Sequence, residues 1–352
     1  MASHRRPKQP SRTRVTVLTT AAAAAVALSA QAANAAPSEK PSKDEVKAKV
    51  DKLYEEAEQA TEKYNGAKEK QEKLQKEIST VQDNVARGQE ELNDLRDGLG
   101  SMASAQYRSG GIDPSLQLFL SADPDDYLDK ASTLDQLSGQ QVEALKKIQD
   151  KQRDLAQQRA EAAEKLKDLS ATRTELGNKK KEVQGKLASA QKLLNTLTAA
   201  EKAALEEQEQ RATRSSERQA LNTSTGSSTP VGHGSGRAGA AFAAAQGRIG
   251  SPYVYGATGP SSFDCSGLTS WAYAQAGVGI PRTSQAQANA GQRIYSTSDL
   301  QVGDLVFFFG DLHHVGLYAG NGQVLHAPRT GTVVRYESMG TMGGPFMFGV
   351  RV

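Results

Sequence analysis

The chain has 352 residues, 24% of them charged and only 5% aromatic, with a formal charge of +3. That length suggests two domains, and because most aromatic side chains fall after residue 240, a compact core is expected near the C-terminus. Five of the basic residues sit before residue 15, so the rest of the chain has a charge of −2, and nothing in that balance points to nucleic-acid binding.

Residues 1–35 read as an export signal. Arg5, Arg6, Lys8, Arg12 and Arg14 precede an apolar run from Val15 to Ala30, and Ala33-Asn34-Ala35 offers small residues for cleavage. The run is shorter than the roughly 20 apolar residues that span a bilayer, which favours a cleaved signal over an anchor. Pro7 after Arg5-Arg6 makes a poor twin-arginine signal. The expected location is therefore secreted or in the cell wall.

Residues 36–210 are expected to form a coiled-coil hairpin. Val46, Val50, Leu53, Ala57, Ala60, Tyr64 and Ala67, then Leu74, Ile78, Val81 and Val85, then Leu92, Leu95, Leu99 and Met102 follow alternating steps of four and three, broken only at Gln71 and Gly88. A second run, from Leu145 through Leu155, Leu169, Val183 and Ala190 to Leu197, has a poorer seam, since Gln152, Arg159, Arg173 and Lys180 hold core-register positions. The tip near 100–137 has turn signals at Ser109-Gly110-Gly111 and Asp113-Pro114 and an apolar cluster at Leu116, Leu118, Phe119 and Leu120. Residues 211–237, rich in Ser, Thr and Gly, read as a flexible linker in which His233 is incidental.

Residues 238–352 read as a compact α+β domain. Ala240 to Gln246 and Leu268 to Ala276 have helical spacing. Short strand-like runs follow at Leu305–Phe309, Val315–Tyr318, Val324–Leu325, Val333–Tyr336 and Phe346–Val352. Cys265, the only cysteine, stands at the start of the second helix. A lone thiol in an exported chain is either a small buried hydrophobe or a nucleophile. A helix N-terminus favours its thiolate, and Asp264 and Ser266 suit capping. A base would come from His313, His314 or His326. His313 and His314 point to opposite faces of a strand, and alternation does not choose between them. A turn at Gly320-Asn321-Gly322 would bring His326 beside one of the two.

The segments Gly250-Ser-Pro-Tyr-Val-Tyr-Gly256, Phe263-Asp-Cys-Ser-Gly-Leu268, Pro281-Arg-Thr-Ser284, Leu300-Gln-Val-Gly-Asp-Leu-Val-Phe-Phe308, His314-Val-Gly-Leu-Tyr318 and His326-Ala-Pro328, in that order, closely resemble the NlpC-like peptidoglycan cysteine endopeptidases. The resemblance runs from Ala240 to the C-terminus and implies a papain-like fold. It implies Cys265 as nucleophile, His314 as its base, His326 as the residue orienting the base and Tyr253 as an oxyanion donor. It also implies cleavage between D-glutamate and diaminopimelate in peptidoglycan stem peptides, with no cofactor and no metal. Asp264, Ser266, Arg282 and Ser284 could bind the charged stem or serve as caps and surface residues. Where the family often has Trp-Gly-Gly, this chain has Tyr255-Gly256-Ala257, so the groove wall should differ slightly.

The N-terminal region resembles, less specifically, the coiled-coil hairpins of secreted actinobacterial cell-separation hydrolases. In those the coil blocks the active site or docks with a membrane ABC-transporter-like division complex. The rival readings are a non-enzymatic scaffold with a degenerate domain, and an amidase or acyltransferase on the same fold.

Overall fold

The computed structural model describes residues 42–108, 116, 124–225 and 236–352. The expected signal at 1–35, most of the apolar tip cluster and His233 lie outside these residues. Helix α1 (Lys43–Arg108) and helix α2 (Pro124–Leu194) form an antiparallel hairpin. Its seam joins Val46, Val50 and Tyr54 to Ala190 and Leu197, Leu74 and Ile78 to Leu169, and Leu92 to Ile148 and Leu155. The seam of α2 is as uneven as its sequence suggests. Leu145 and Leu166 are each 48% exposed, Gln152, Arg159, Arg173 and Lys180 are exposed, and Arg159 instead donates to Gln89 across the hairpin at 2.8 Å.

Residues 211–225 are not linker. Helix α3 (Ala199–Thr225) runs through them, opened by a capping box in which Thr198 and Glu201 bond each other's backbone N–H groups. It packs on the C-terminal domain at strand β5, described below. Polar composition suggested a coil, but packing on a sheet edge supports the helix. Among the described residues no helix is long and apolar enough to cross a membrane.

The C-terminal domain opens with α4 (Arg237–Gln246) and α5 (Cys265–Gln275), followed by the short α6 (Ser284–Gln287). Its strands are β1 (Gln292–Ile294), β2 (Leu305–Phe308), β3 (His314–Gly320), β4 (Gln323–His326), β5 (Arg335–Ser338) and β6 (Phe346–Arg351), in one antiparallel sheet of order β1-β6-β2-β3-β4-β5. Only β1 was not anticipated. It is three residues long and defined by pairing with β6 rather than by an apolar run.

Alternation along the strands makes two cores. Leu305, Phe307, Val315, Leu317 and Leu325 pack with Leu268, Ala272 and Tyr273 of α5. Val306, Phe308, Tyr318 and Val324 point to the opposite face, with Ile294, Leu300 and Met342. The domain is thus α+β, a helix laid on an antiparallel sheet, with a helical hairpin before it.

Two close approaches explain glycines in the motifs. A Cβ on Gly267 would lie 2.1 Å from the Ala257 carbonyl oxygen, so only glycine lets the first turn of α5 meet that loop. A Cβ on Gly316 would lie 2.3 Å from Val324 Cγ1 and 3.0 Å from His326 Cβ. The space that Gly316 leaves on β3 therefore seats the neighbouring strand that carries His326.

Candidate active site

Asp264 takes an extended conformation as N-cap of α5, and its carboxylate accepts from Gly267 N at 2.7 Å. That fixes Cys265 as the first helical residue and leaves its side chain fully buried. The same carboxylate accepts from Gly256 N at 2.9 Å and pairs with Arg282 at 2.5 Å. Asp264 is therefore a cap and an anchor for the loop before the helix, and its oxygens are engaged within the protein.

His314 is the first residue of β3, at the end of the sheet that the α5 N-terminus reaches. The Cys265 sulfur, a ring nitrogen of His314 and a carboxylate oxygen of Glu58 all lie within 4.8 Å of one another. The pairing of β3 with β4 places His326 on a diagonal from His314, and His314 Nε2 meets His326 Nδ1 at 2.8 Å. His326 Nε2 faces Glu337 of β5 at 3.3 Å. His313 is elsewhere: its ring stacks on Phe309 at 4.1 Å and bonds Asp311. Tyr253 is buried, held by backbone bonds to Thr332 and by a bridge to Phe263. Burial, then the nearby carboxylate of Glu58, push its hydroxyl well above the ordinary value. The structure thus brings Cys265, His314, His326 and Tyr253 together, and excludes His313.

Ser266 and Ser284 are fully buried, and Arg282 donates to Ser266 Oγ at 2.7 Å. These three meet a group that the sequence did not mark. Glu62 of α1 reaches in from the hairpin: it accepts from Ser284 N at 2.7 Å, Ser284 Oγ at 3.1 Å and Ser266 Oγ at 2.7 Å. Asn65 donates to Asp264 at 3.1 Å, Glu58 bonds His314 Nδ1, and Tyr64 packs edge-on against Tyr255. Glu58, Thr61, Glu62 and Asn65 form one buried polar stripe at helical spacing along α1. Arg329 adds a pin further along, pairing with Glu209 of α3 and stacking over Tyr54.

The electrostatics follow from that insertion. Burial, then the carboxylates of Glu62, Glu58 and Asp264, push the Cys265 thiol well above its ordinary value. The sequence expectation of a thiolate at a helix N-terminus is reversed, because burial beside three acids outweighs the partial charge of the helix. Burial opposes charge on His314, yet Glu58 outweighs it and raises the ring. Burial lowers His326, against the pull of Glu337. The Cys265 thiol is held protonated and the His314 ring is held by a carboxylate.

Burial and the neighbouring Asp264 raise Glu62 to about 7, against hydrogen bonds from Ser266 and Ser284. Withdrawn into water, Glu62 returns to the ordinary range near 4.5. A raised acid binds its proton more tightly when inserted, so insertion is most favoured below about 4.5 and weakens as pH rises through about 7. Hydrogen exchange of the 58–65 amides, corrected for intrinsic rates, should accelerate between pH 6 and 8, and Glu62→Gln should flatten that change.

The comparisons with known proteins match this domain. The NlpC/P60 family model matches residues 250–350. These residues are an NlpC/P60 domain. A probable endopeptidase of Corynebacterium glutamicum is 55% identical over 108 residues, covering 31% of this chain and 50% of that protein. A probable endopeptidase of Mycobacterium tuberculosis is 43% identical over 114 residues, covering 32% of this chain and 29% of that protein. The chain therefore spans half or less of the length of these curated relatives. Among solved structures, the peptidoglycan hydrolase RipB of M. tuberculosis is 33% identical with a TM-score of 0.30, over 33% of this chain and 64% of that one. The NlpC/p60 domain of the peptidoglycan hydrolase SagA is 36% identical with a TM-score of 0.31, over 33% of this chain and 98% of that domain. Every motif quoted for the resemblance, from Gly250 to Pro328, falls inside the matched NlpC/P60 residues.

Sequence reasoning missed Glu58, Glu62, Asn65 and Glu337. The first three sit off the apolar seam of α1, where charged residues ordinarily face water.

Proposed function

We propose that this chain is an exported peptidoglycan hydrolase whose NlpC/P60 domain cleaves stem peptides, and that its coiled coil holds the domain closed. The observation that carries the peptidase reading is a thiol on the first residue of a helix beside a His314–His326 pair at the end of the sheet. With the hairpin withdrawn, His314 takes the thiol proton and Cys265 attacks the scissile carbonyl, forming a C–S bond. The oxyanion is held by the Cys265 N–H and the Tyr253 hydroxyl. His314 then protonates the leaving amine as the C–N bond breaks, and water releases the acyl group from sulfur. His326 keeps the ring of His314 oriented.

Support for the closed state comes from Glu58 on the base and Glu62 beside the nucleophile. Glu62 also supports a substrate role for Ser266 and Ser284, which already receive a carboxylate a few ångströms from the reacting sulfur, with Arg282 behind Ser266. A γ-linked D-glutamate carries a free carboxylate at that distance from its scissile carbonyl, which favours the D-glutamyl–diaminopimelate bond. The far end of the hairpin exposes Tyr107, Leu128 and Val142. We assign that end to docking with a membrane ABC-transporter-like division complex that pulls the hairpin off.

The test is mass analysis of fragments released from purified peptidoglycan by Glu58→Lys/Glu62→Lys protein. New diaminopimelate N-termini are expected, absent when Cys265→Ala is added. Fragments freed at the lactyl–alanine bond would make the chain an amidase, and a folded but silent protein would make it a scaffold.

A further inference from the structure

We propose that the closed site is also a divalent-metal clamp, in which Glu58, Cys265 and His314 bind one thiophilic ion such as Zn²⁺ and lock the hairpin onto the NlpC/P60 domain. This rests on the closed arrangement proposed above. Three donors of different chemistry, a thiol sulfur, an imidazole nitrogen and a carboxylate oxygen, lie within 4.8 Å of one another and all three side chains are buried. Sulfur at about 2.3 Å and nitrogen or oxygen at about 2.0 Å from zinc require donors roughly 3.3–3.7 Å apart. Glu58 and His314 Nδ1, now in direct hydrogen-bond contact, part slightly to admit the ion, and Cys265 turns toward them.

Three further features fit a metal. His314 Nε2 is held by His326 Nδ1 at 2.8 Å, an outer-shell bond that leaves Nδ1 aimed at Glu58, where an ion would take the place of the shared proton. The Cys265 sulfur makes long contacts, 3.7 Å to the His313 carbonyl and 3.8 Å to Glu62, and its other neighbour, Glu58, is itself one of the three ligands. A cavity of about 10 Å³ borders Glu58 and Tyr253, roughly the space of one water, and gives the Glu58 side chain room to move as an ion enters. Charge favours the same outcome. Glu58, Glu62 and Asp264 are all buried here, and Arg282 pairs with Asp264. A dication balances the Cys265 thiolate and the Glu58 carboxylate.

On binding, the Cys265 thiol and the His314 ring each release a proton to solvent, and the metal–sulfur, metal–nitrogen and metal–oxygen bonds form with no change of oxidation state. Affinity therefore rises with pH. Because Glu58 comes from the hairpin and the other two ligands from the domain, the ion joins two parts of the chain that must separate for catalysis. Metal-bound protein is silent, and removal of the metal precedes opening.

The test uses full-length protein stripped with a chelator. Co²⁺ titration should give one equivalent with a thiolate-to-cobalt absorption band and the visible bands of a tetrahedral ion. Cys265→Ser, close in shape to the native residue, should abolish the thiolate band. Zn²⁺ competition against a chromophoric chelator should show Glu58→Gln weakening affinity about tenfold or more. Zn²⁺ should slow hydrogen exchange of residues 58–65 in the wild type and not in Cys265→Ser. An unchanged Zn²⁺ affinity in Glu58→Gln, or a thiolate band that survives Cys265→Ser, overturns the clamp. If Glu58→Gln raises hydrolysis without metal but leaves Zn²⁺ affinity unchanged, the clamp falls and the closed-state reading stands. If it alters neither, both fall.

Discussion

In a chain opened by Glu62→Lys, adding Cys265→Ala is expected to lower release of stem peptides by about 10³-fold or more. The chain contains one cysteine, so no second thiol can substitute. The acyl-enzyme needs a C–S bond that alanine cannot form. His314→Ala should cost a similar factor, because the thiol then lacks the group that takes its proton. The two losses should not add, since nucleophile and base act as one unit. His326→Asn should cost less, about tenfold to a hundredfold, because the amide still offers a partner to His314 Nε2. Rates of fragment release at saturating substrate, with folding followed by circular dichroism, check all three. A Cys265→Ala protein retaining more than a few per cent of the opened rate would remove the nucleophile assignment.

Much of the C-terminal domain was legible because its signals are local. Asp264 before Cys265 announces a cap, the Leu268–Ala272–Tyr273 spacing announces the buried face of α5, and Gly320-Asn321-Gly322 announces the β3–β4 turn. The choice between His313 and His314 was not local. Val315 and Leu317 face α5, so alternation along β3 puts His313 in phase with the helix side. His313 instead belongs to the turn before β3, bonded to Asp311 and stacked on Phe309. His314 opens the strand, on the side where β4 brings His326. Only the family resemblance distinguished them.

The stripe Glu58–Glu62–Asn65 was illegible for a different reason. A helix with one apolar seam presents its other faces to water by default, and a charged residue there carries no mark of burial. Its partners, Asp264, Ser266, Ser284 and His314, lie about two hundred residues further along the chain. The same non-local contact reverses the expected thiolate character of Cys265 and supports α3 beyond residue 211.

Glu62→Lys alone is expected to raise the rate of stem-peptide release by full-length protein about tenfold to a hundredfold. The native carboxylate accepts from three donors on Ser266 and Ser284, with Arg282 just behind. Lysine brings donors to donors and a second cation beside Arg282. Breaking a buried, hydrogen-bonded charge arrangement costs on the order of 3–5 kcal/mol, enough to move a closed-to-open ratio by roughly two to four powers of ten. The observed gain is smaller than that ratio because the rate saturates once most molecules are open. Glu77→Lys provides the control: it breaks a half-buried pair with Lys165 within the hairpin, away from the site, worth about 1 kcal/mol, and should leave the rate unchanged. Glu58→Lys should act in the same direction as Glu62→Lys. Because both residues stand on neighbouring turns of one helix and leave together, the double variant should gain less than the product of the single gains. Full multiplication would mean that the two carboxylates restrain the site independently, and that α1 does not leave the active site as one body.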